Sequence, residues 1–495
     1  MNSKKSPVLM VSVGLALAFV LVGVLFTDQL NAGLATAQSF MFETFGWYYQ
    51  LLVTGLFLFA VYLAFGRFGK IKLGPQEGKP EFSRPVWFSM LFSAGIGIGL
   101  FFYGVSEPIG HFSAPPYGEG GTAADAVSGV AYTWLHWGFH AWAIYAIVAL
   151  ALALQQFRYN SPGLMSSTLY SVFGSRVKGP LGHTVDIIAV FATLFGVAAS
   201  LGLGAQQINS GLVFLFDAPY NFTIQLIIML IITVIFVISA STGIHKGIKY
   251  LSTINISISF LFLVFIFITG PTLFMLNMFV SGLAEYLSIF IPMSLQVNPV
   301  NDQASSWTEG WTIFYWAWWI SWTPFVGMFI ARISKGRTIR EFIVGVILVP
   351  SFVMFIWFAF VGGTGIYYEL YEGLEVSAQS LETALFYVLQ ELPLSAIMSF
   401  FTIIIITIFF VTTADSATFV LGMQSTNGNL NPSTRIKITW GVLFVSITAI
   451  LLLVGGLQAF QTAIVISALP LSVIVIFMCI GLVKTLNKEV KGKKS

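Results

Sequence analysis

Twelve stretches of about 20 predominantly apolar residues recur along the chain, near 8–26, 47–66, 86–106, 127–155, 185–214, 222–241, 251–281, 307–331, 341–362, 394–421, 437–456 and 460–483. A helix rises 1.5 Å per residue, so about 20 apolar residues are what it takes to cross the hydrocarbon core of a bilayer. A soluble domain carries about 25% charged residues. Here the figure is 9%, with 57% hydrophobic residues and a mean hydropathy of +0.87. The chain therefore reads as an all-α polytopic membrane protein with 12 transmembrane helices. The stretch 8–26 is too long for a signal-peptide core and lacks a small-residue cleavage site, which makes it the first span. Two shorter amphipathic pieces, 284–293 and 380–391, read as helices lying at the interface.

The basic residues test that count. Lys4 and Lys5 precede the first span. Arg67 to Arg84 lie between spans two and three, Arg158 to Lys178 after span four, and Lys246 and Lys249 after span six. Arg332 to Arg340 follow span eight, Arg435 and Lys437 follow span ten, and Lys484 to Lys494 follow span twelve. All 23 Lys and Arg thus fall on one side, while the opposite loops hold acids such as Asp28, Glu43, Glu107, Glu119 and Asp302. The positive-inside rule then places both termini in the cytoplasm of a cell-membrane protein. A net charge of +3, scattered in this way, gives no nucleic-acid footprint. The single Cys479 excludes an intramolecular disulfide and a cysteine metal cluster. Both tails are short, so no soluble domain is expected beside the membrane part.

Some spans carry residues that lipid does not tolerate without a reason. Span three holds Ser93, Ile96 and the glycines Gly95, Gly97 and Gly99. Each glycine weakens a helix by up to about 1 kcal/mol relative to alanine. The pattern fits close helix packing, since Gly95 and Gly99 are four apart. It fits equally a broken helix, whose freed backbone groups line a cavity and meet a ligand. In span four, His136 and His140 have the i, i+4 spacing of a metal pair, but no third ligand is evident, and contacts between helices account for them as well. Span ten contains Phe409, Thr412, Thr413 and Asp415. An intramembrane carboxylate is a functional candidate; here it is also within reach of a partner such as Arg332 or Arg337 in a basic loop. The threonine oxygens suit a small hard cation.

Trp311–Phe325 holds five tryptophans in fifteen residues: Trp311, Trp316, Trp318, Trp319 and Trp322. Tryptophan normally marks the edge of a membrane span. Running inside a span, the last four cover an arc of roughly 160° on an ideal helix. Trp137, Trp142 and Tyr145 of span four cover roughly 140°. Two such walls can enclose a quaternary ammonium group, each ring face contributing about 0.5–2 kcal/mol.

These residues carry a resemblance. Ser93–Gly104, His136–Tyr145, Ser200–Gly204, Trp311–Phe325, Ala331–Phe342 and Thr413–Ser416 resemble the betaine/carnitine/choline transporter family over nearly the whole chain. The resemblance implies a secondary transporter in which spans three to seven (86–281) and eight to twelve (307–485) form an inverted five-helix repeat. Residues 1–85 would be two extra helices, 282–306 an interfacial helix and loop, and 486–495 a short cytoplasmic tail. It implies a substrate box of Trp137, Trp142, Tyr145 and Trp319, with the backbone of Gly95, Gly97 and Gly99 receiving an anionic group, and a pathway along Trp316, Trp318 and Trp322. One sodium site would use the carbonyls of Ser93, Ile96 and Phe409 with the hydroxyls of Thr412 and Thr413. A second would use Thr193 and the ring of Phe325. Val197, where sodium-coupled betaine carriers have another threonine, departs from that second pattern. Asp415 and Arg332 would form a structural ion pair.

The family's proton-coupled choline carriers have an Asp in place of the middle glycine. Its carnitine exchangers depart from the glycine pattern and replace sodium-site residues. This chain keeps all three glycines and both threonines, so the resemblance implies sodium symport of glycine betaine by alternating access, for osmoprotection. No cofactor is implied. Membrane lipids are the surroundings, and trimers are frequent in the family. Proton-coupled or exchange transport of choline or carnitine is the alternative. An intramembrane enzyme built on His136, His140 and Asp415, or a channel, lies further off.

Overall fold

The computed structural model describes residues 6–95, 97–242 and 245–492, without the side chains of 92–95, 239–242, 245–250 and 492. Among the described residues the only strand-like pairing is one isolated bridge between Lys72 and Thr338. Everything else regular is helical, as it must be where no water can satisfy backbone groups. Nine helical segments among the described residues are long and apolar enough to cross a membrane, consistent with a multi-pass membrane protein. The side-chain distribution agrees. Leu15, Leu21, Ile231, Val234 and Leu261 face outward, while His136, His140, Thr193 and Gln207 are fully buried. A soluble protein shows the reverse.

The chain begins with α1 (Pro7–Leu25) and α2 (Thr27–Phe65), which pack on the outside of the bundle, chiefly against its last helix. The third predicted span is broken. α3 (Arg84–Gly95) stops and α4 (Ile98–Ser113) starts after Gly97, whose backbone is extended (φ −162°, ψ −173°). This decides between the two readings of the glycines in favour of a broken helix. Span four is broken too, at Gly138, into α5 (Ala123–Trp137) and α6 (Phe139–Tyr159). A Cβ at 138 would lie 2.5 Å from the Trp134 carbonyl oxygen and 2.8 Å from the Phe355 ring, so the close approach there needs glycine.

α7 (Pro180–Phe216), α8 (Phe222–Thr242) and α9 (His245–Thr269) follow. Pro271 ends the seventh stretch, and α10 (Thr272–Ser294) is a separate helix lying against α5. Hydropathy had extended span seven to 281 and left only 284–293 as the interfacial piece. Gly270–Pro271 moves that boundary, because proline has no N–H to continue the ladder. α11 (Asp302–Trp307) passes through a π-helical turn (Thr308–Ile313) into α12 (Phe314–Ile333). α13 (Ile339–Trp357) passes through another (Phe358–Gly362) into α14 (Gly363–Tyr371). α15 (Ala384–Gln390) sits within the second predicted interfacial piece. α16 (Ser395–Ser425) and α17 (Thr434–Gly492) complete the chain. α17 is bent at Gly456, which has φ +56°, the last residue of the eleventh predicted span.

At the centre, α6 packs along α12, and α7 is held between α16 and α17. The basic loops gather at one end. Leu73 and Ile71 exchange backbone hydrogen bonds with Arg337, Gly336 and Ile339. Arg158 donates to the Gly74 carbonyl at 2.8 Å and pairs with Glu489. Arg337 lies over the Trp87 ring and pairs with Glu341 at 2.7 Å.

Candidate functional site

A cavity of about 1270 Å³ opens at the end that carries the basic loops, where Lys335, Arg332 and Lys437 line it. Its lining continues along α6, α12 and α16 and includes Trp137, Trp142, Tyr145, Trp318 and Trp319. The four residues of the box implied by the resemblance therefore line one cavity. Their rings interlock: Trp137 and Trp319 are 4.9 Å apart at 69°, Tyr145 and Trp319 are 6.2 Å apart, and Trp142 and Tyr145 are 5.6 Å apart. Trp318 stacks on Trp319 at 5.1 Å with planes 7° apart.

The break at Gly138 orients these rings. The carbonyls of His136 and Trp137, at the helix end, accept the indole N–H of Trp319 (2.8 Å) and of Trp142 (3.2 Å). Trp137 donates its own N–H to Glu107 Oε2 at 2.7 Å. All three box indoles thus have their polar edge tied down, which fixes each ring plane. Trp318 and Trp322 differ. Their indole nitrogens are buried and lack a hydrogen-bond partner, while both rings line the cavity.

Trp316 does not join them. It is fully buried, donates to Gln50 Oε1 at 2.9 Å and lies 5.2 Å from the His140 ring. It faces α2, so its place in the pathway is corrected to a packing contact. The helix carries aromatics on both faces, and sequence alone did not say which face was lined. The glycines divide similarly. Gly97 borders the cavity with open space where a Cβ would be, whereas a Cβ on Gly99 would come within 3.1 Å of Trp137 and 3.2 Å of Trp318. Gly95 ends α3. Its immediate surroundings and those of Ser93 lie outside the described side chains, and Ile96 lies outside the described residues.

Phe409, Thr412 and Thr413 line the cavity on α16. The Thr412 hydroxyl donates to the carbonyls of Ile408 (2.9 Å) and Phe409 (3.2 Å), which leaves its oxygen lone pairs available. Thr193 is fully buried and donates to Ala189 O at 2.8 Å, next to a fully buried Val197. Phe325 lines the cavity 5.6 Å from the Trp322 ring. Asp415 and Arg332 line it as well.

Sequence reading placed Glu107 among the loop acids. Instead it sits in α4, fully buried, behind the box. His111 and His136 share its Oε1, at 3.3 and 2.8 Å, and Tyr315 donates to its Oε2. Glu107 and His111 stand at i, i+4, and that spacing beside an apolar run was the available signal. The three acidic and histidine ligand atoms lie within 4.8 Å of one another. Even so, they do not fit a metal. Trp307 donates its indole N–H to His111 Nδ1 at 3.1 Å. Indole is a donor only, so Nδ1 is the acceptor and Nε2 carries the proton on the side where a metal would bind. His140 goes elsewhere, to Ser294 Oγ at 2.8 Å, so the two histidines of span four serve separate helix contacts.

Comparison with known proteins places this arrangement. The chain is 47% identical, over 98% of its length and 95% of the relative's, to the glycine betaine transporter OpuD of Bacillus subtilis. It is 42% identical, over 99% and 98%, to an ectoine/hydroxyectoine transporter of Virgibacillus pantothenticus. It is 37% identical, over 97% and 71%, to a high-affinity choline transport protein of Escherichia coli. Residues 7–491 match the model of the BCCT, betaine/carnitine/choline family transporter, and the chain belongs to that family of membrane transporters rather than to any enzyme family.

Proposed function

We propose that this protein takes up glycine betaine, or a close trimethylammonium zwitterion, by sodium symport for osmoprotection. The observation that carries the reading is the box of Trp137, Trp142, Tyr145 and Trp319 on the wall of one cavity. Its indole N–H groups are spent on protein acceptors, so ring faces are what it offers a ligand. Such faces attract a cation that cannot itself donate hydrogen bonds. The backbone at Gly97 borders the cavity and suits the carboxylate at the other end of the same molecule; the unspent N–H groups of Trp318 and Trp322, buried as the rings stand, would join it once a ring turns. Relatives named for glycine betaine at 47% and 43% identity support this choice.

Sodium enters the proposal as cargo. Thr412, Thr413 and the carbonyls of Phe409, Ser93 and Ile96 would hold one ion. Thr193 and Phe325 would hold a second, weakened by Val197. The cavity's opening at the basic end supports an inward-facing state within an alternating-access cycle. In that cycle twelve spans form an inverted repeat behind two extra helices, both termini are cytoplasmic, and Asp415 pairs with Arg332 at the mouth. We extend the reading to a homotrimer in the lipid bilayer. Ligands drive such a cycle only through different affinities for its two states.

The test is uptake of labelled glycine betaine into proteoliposomes under an inward sodium gradient, a proton gradient, or neither. Accumulation with sodium alone is the expected result, and a Hill slope near one would assign a single working sodium site. Proton-driven uptake, or exchange against preloaded choline or carnitine only, would overturn it.

A further inference from the structure

Glu107 is bound by α4, α5 and the α11–α12 segment at once, and its partners assign its protons. Trp307 fixes His111 as the Nε2–H tautomer, which donates to Glu107 Oε1. Thr312 Oγ1 lies 3.0 Å from His136 Nε2. Its hydroxyl proton is satisfied there when Nε2 is the acceptor, which places the His136 proton on Nδ1, facing Glu107 Oε1 at 2.8 Å. Trp137 and Tyr315 donate to Oε2. Four donors then meet the four lone-pair positions of a carboxylate. With this tautomer a protonated Glu107 would leave one of these hydrogens without an acceptor, and with the other tautomer it is the Thr312 hydroxyl proton that would lack one.

Both histidines are neutral in this pattern, so the cluster carries one uncompensated negative charge. No Lys or Arg occurs between Arg84 and Arg158 or between Lys249 and Arg332, the two stretches that build it. A buried charge without a counter-charge is costly. The space on the far side of Trp137 is the aromatic box, and Tyr315 stacks on Trp318 and Trp319 at 5.9 and 5.5 Å.

We infer that Glu107 is ionised and is a specificity-determining residue: its charge, lying behind the Trp137 and Tyr315 rings, selects a cationic head group over a neutral one of the same shape. The inference rests on the box being the cation site. A unit charge one ring away, roughly 8 Å at an effective dielectric near 20, shifts cation binding by roughly ten- to thirtyfold.

The experiment is equilibrium binding to the purified full chain in detergent. Glycine betaine is compared with its carbon isostere 3,3-dimethylbutanoate, in which a quaternary carbon replaces nitrogen. Wild type should prefer betaine, and absence of any preference would sink the box reading itself. Given that preference, Glu107→Gln should reduce the betaine-to-isostere affinity ratio at least tenfold while isostere binding changes little. An unchanged ratio, whether both ligands weaken or neither does, would overturn the inference and leave Glu107 a packing group. If Glu107→Gln yields no folded protein, Tyr315→Phe decides. It removes one donor and keeps the charge, so the ratio should stay at or above that of wild type. A tenfold fall would show that the Tyr315 hydroxyl, and not the charge, sets the preference, and would overturn the inference.

Discussion

The box and the passage beneath it are both built of tryptophan, yet they treat their polar edges in opposite ways. In the box, Trp137, Trp142 and Trp319 give their N–H groups to Glu107 and to the carbonyls freed at Gly138. In the passage, Trp318 and Trp322 keep buried N–H groups without a partner. A tied indole has a fixed plane and offers only its face, whereas an untied one keeps a donor that a turn of the ring would present. On the proposed function, the same residue type would make a surface for a cation and, along the same helix, a place for an anion. A zwitterion needs both.

Removing a box face should have the largest effect. Trp319→Leu is expected to raise the apparent glycine betaine constant by up to roughly thirtyfold, from the upper range for a desolvated cation–π contact. The sodium constant should move far less. Equal effects on the two in sodium-dependent uptake would mean that the cluster is packing. Trp322→Phe keeps the ring and deletes the donor. It should weaken glycine betaine by about tenfold, the low end for a hydrogen bond to a charged group, and leave binding of choline, which has no carboxylate, unchanged. Parallel losses for both ligands would erase the distinction between box and passage. Thr412→Ala should raise the sodium half-saturation by about tenfold, the low end for one contact to a charged group. A shift in betaine affinity alone at saturating sodium would remove Thr412 from the ion site.

The comparison also explains what could be read without coordinates. The all-helical, multi-span character followed from run length and the near absence of charge, because lipid admits few alternatives. The break at Gly95–Gly99 was legible as one of two readings. The break at Gly138 was not, although a lone glycine stood in view. What crowds that glycine includes Phe355 and Tyr286, which come from distant parts of the chain. The resemblance named Trp137, Trp142, Tyr145 and Trp319, and the structure gathers them on one cavity. Trp316 was misplaced, since helix periodicity gives an arc and not its direction, and only Gln50 on α2 shows which side it faces. Glu107 escaped because it lies just past the hydropathy boundary of span three. Its burial depends on α5 and α12 closing over it.

The smallest effect separates two neighbouring glycines. At Gly99 an added Cβ would press on the Trp137 and Trp318 rings at 3.1 and 3.2 Å. Those rings belong one to each region, and the Trp137 ring is held by its bond to Glu107. Gly99→Ala should therefore raise the betaine constant by roughly two- to fivefold, the mild end of overpacking, with little change for sodium. At Gly97 nothing lies within 4 Å of an added Cβ, and its extended backbone suits any residue. Gly97→Ala should be nearly silent in the empty protein, so any loss it causes must come from a ligand that approaches that backbone. If Gly97→Ala proves the worse of the two for glycine betaine but not for choline, the carboxylate rests on the broken helix. If Gly99→Ala is the worse and both ligands suffer alike, the glycines serve the rings, and the anion end belongs to Trp318 and Trp322 alone.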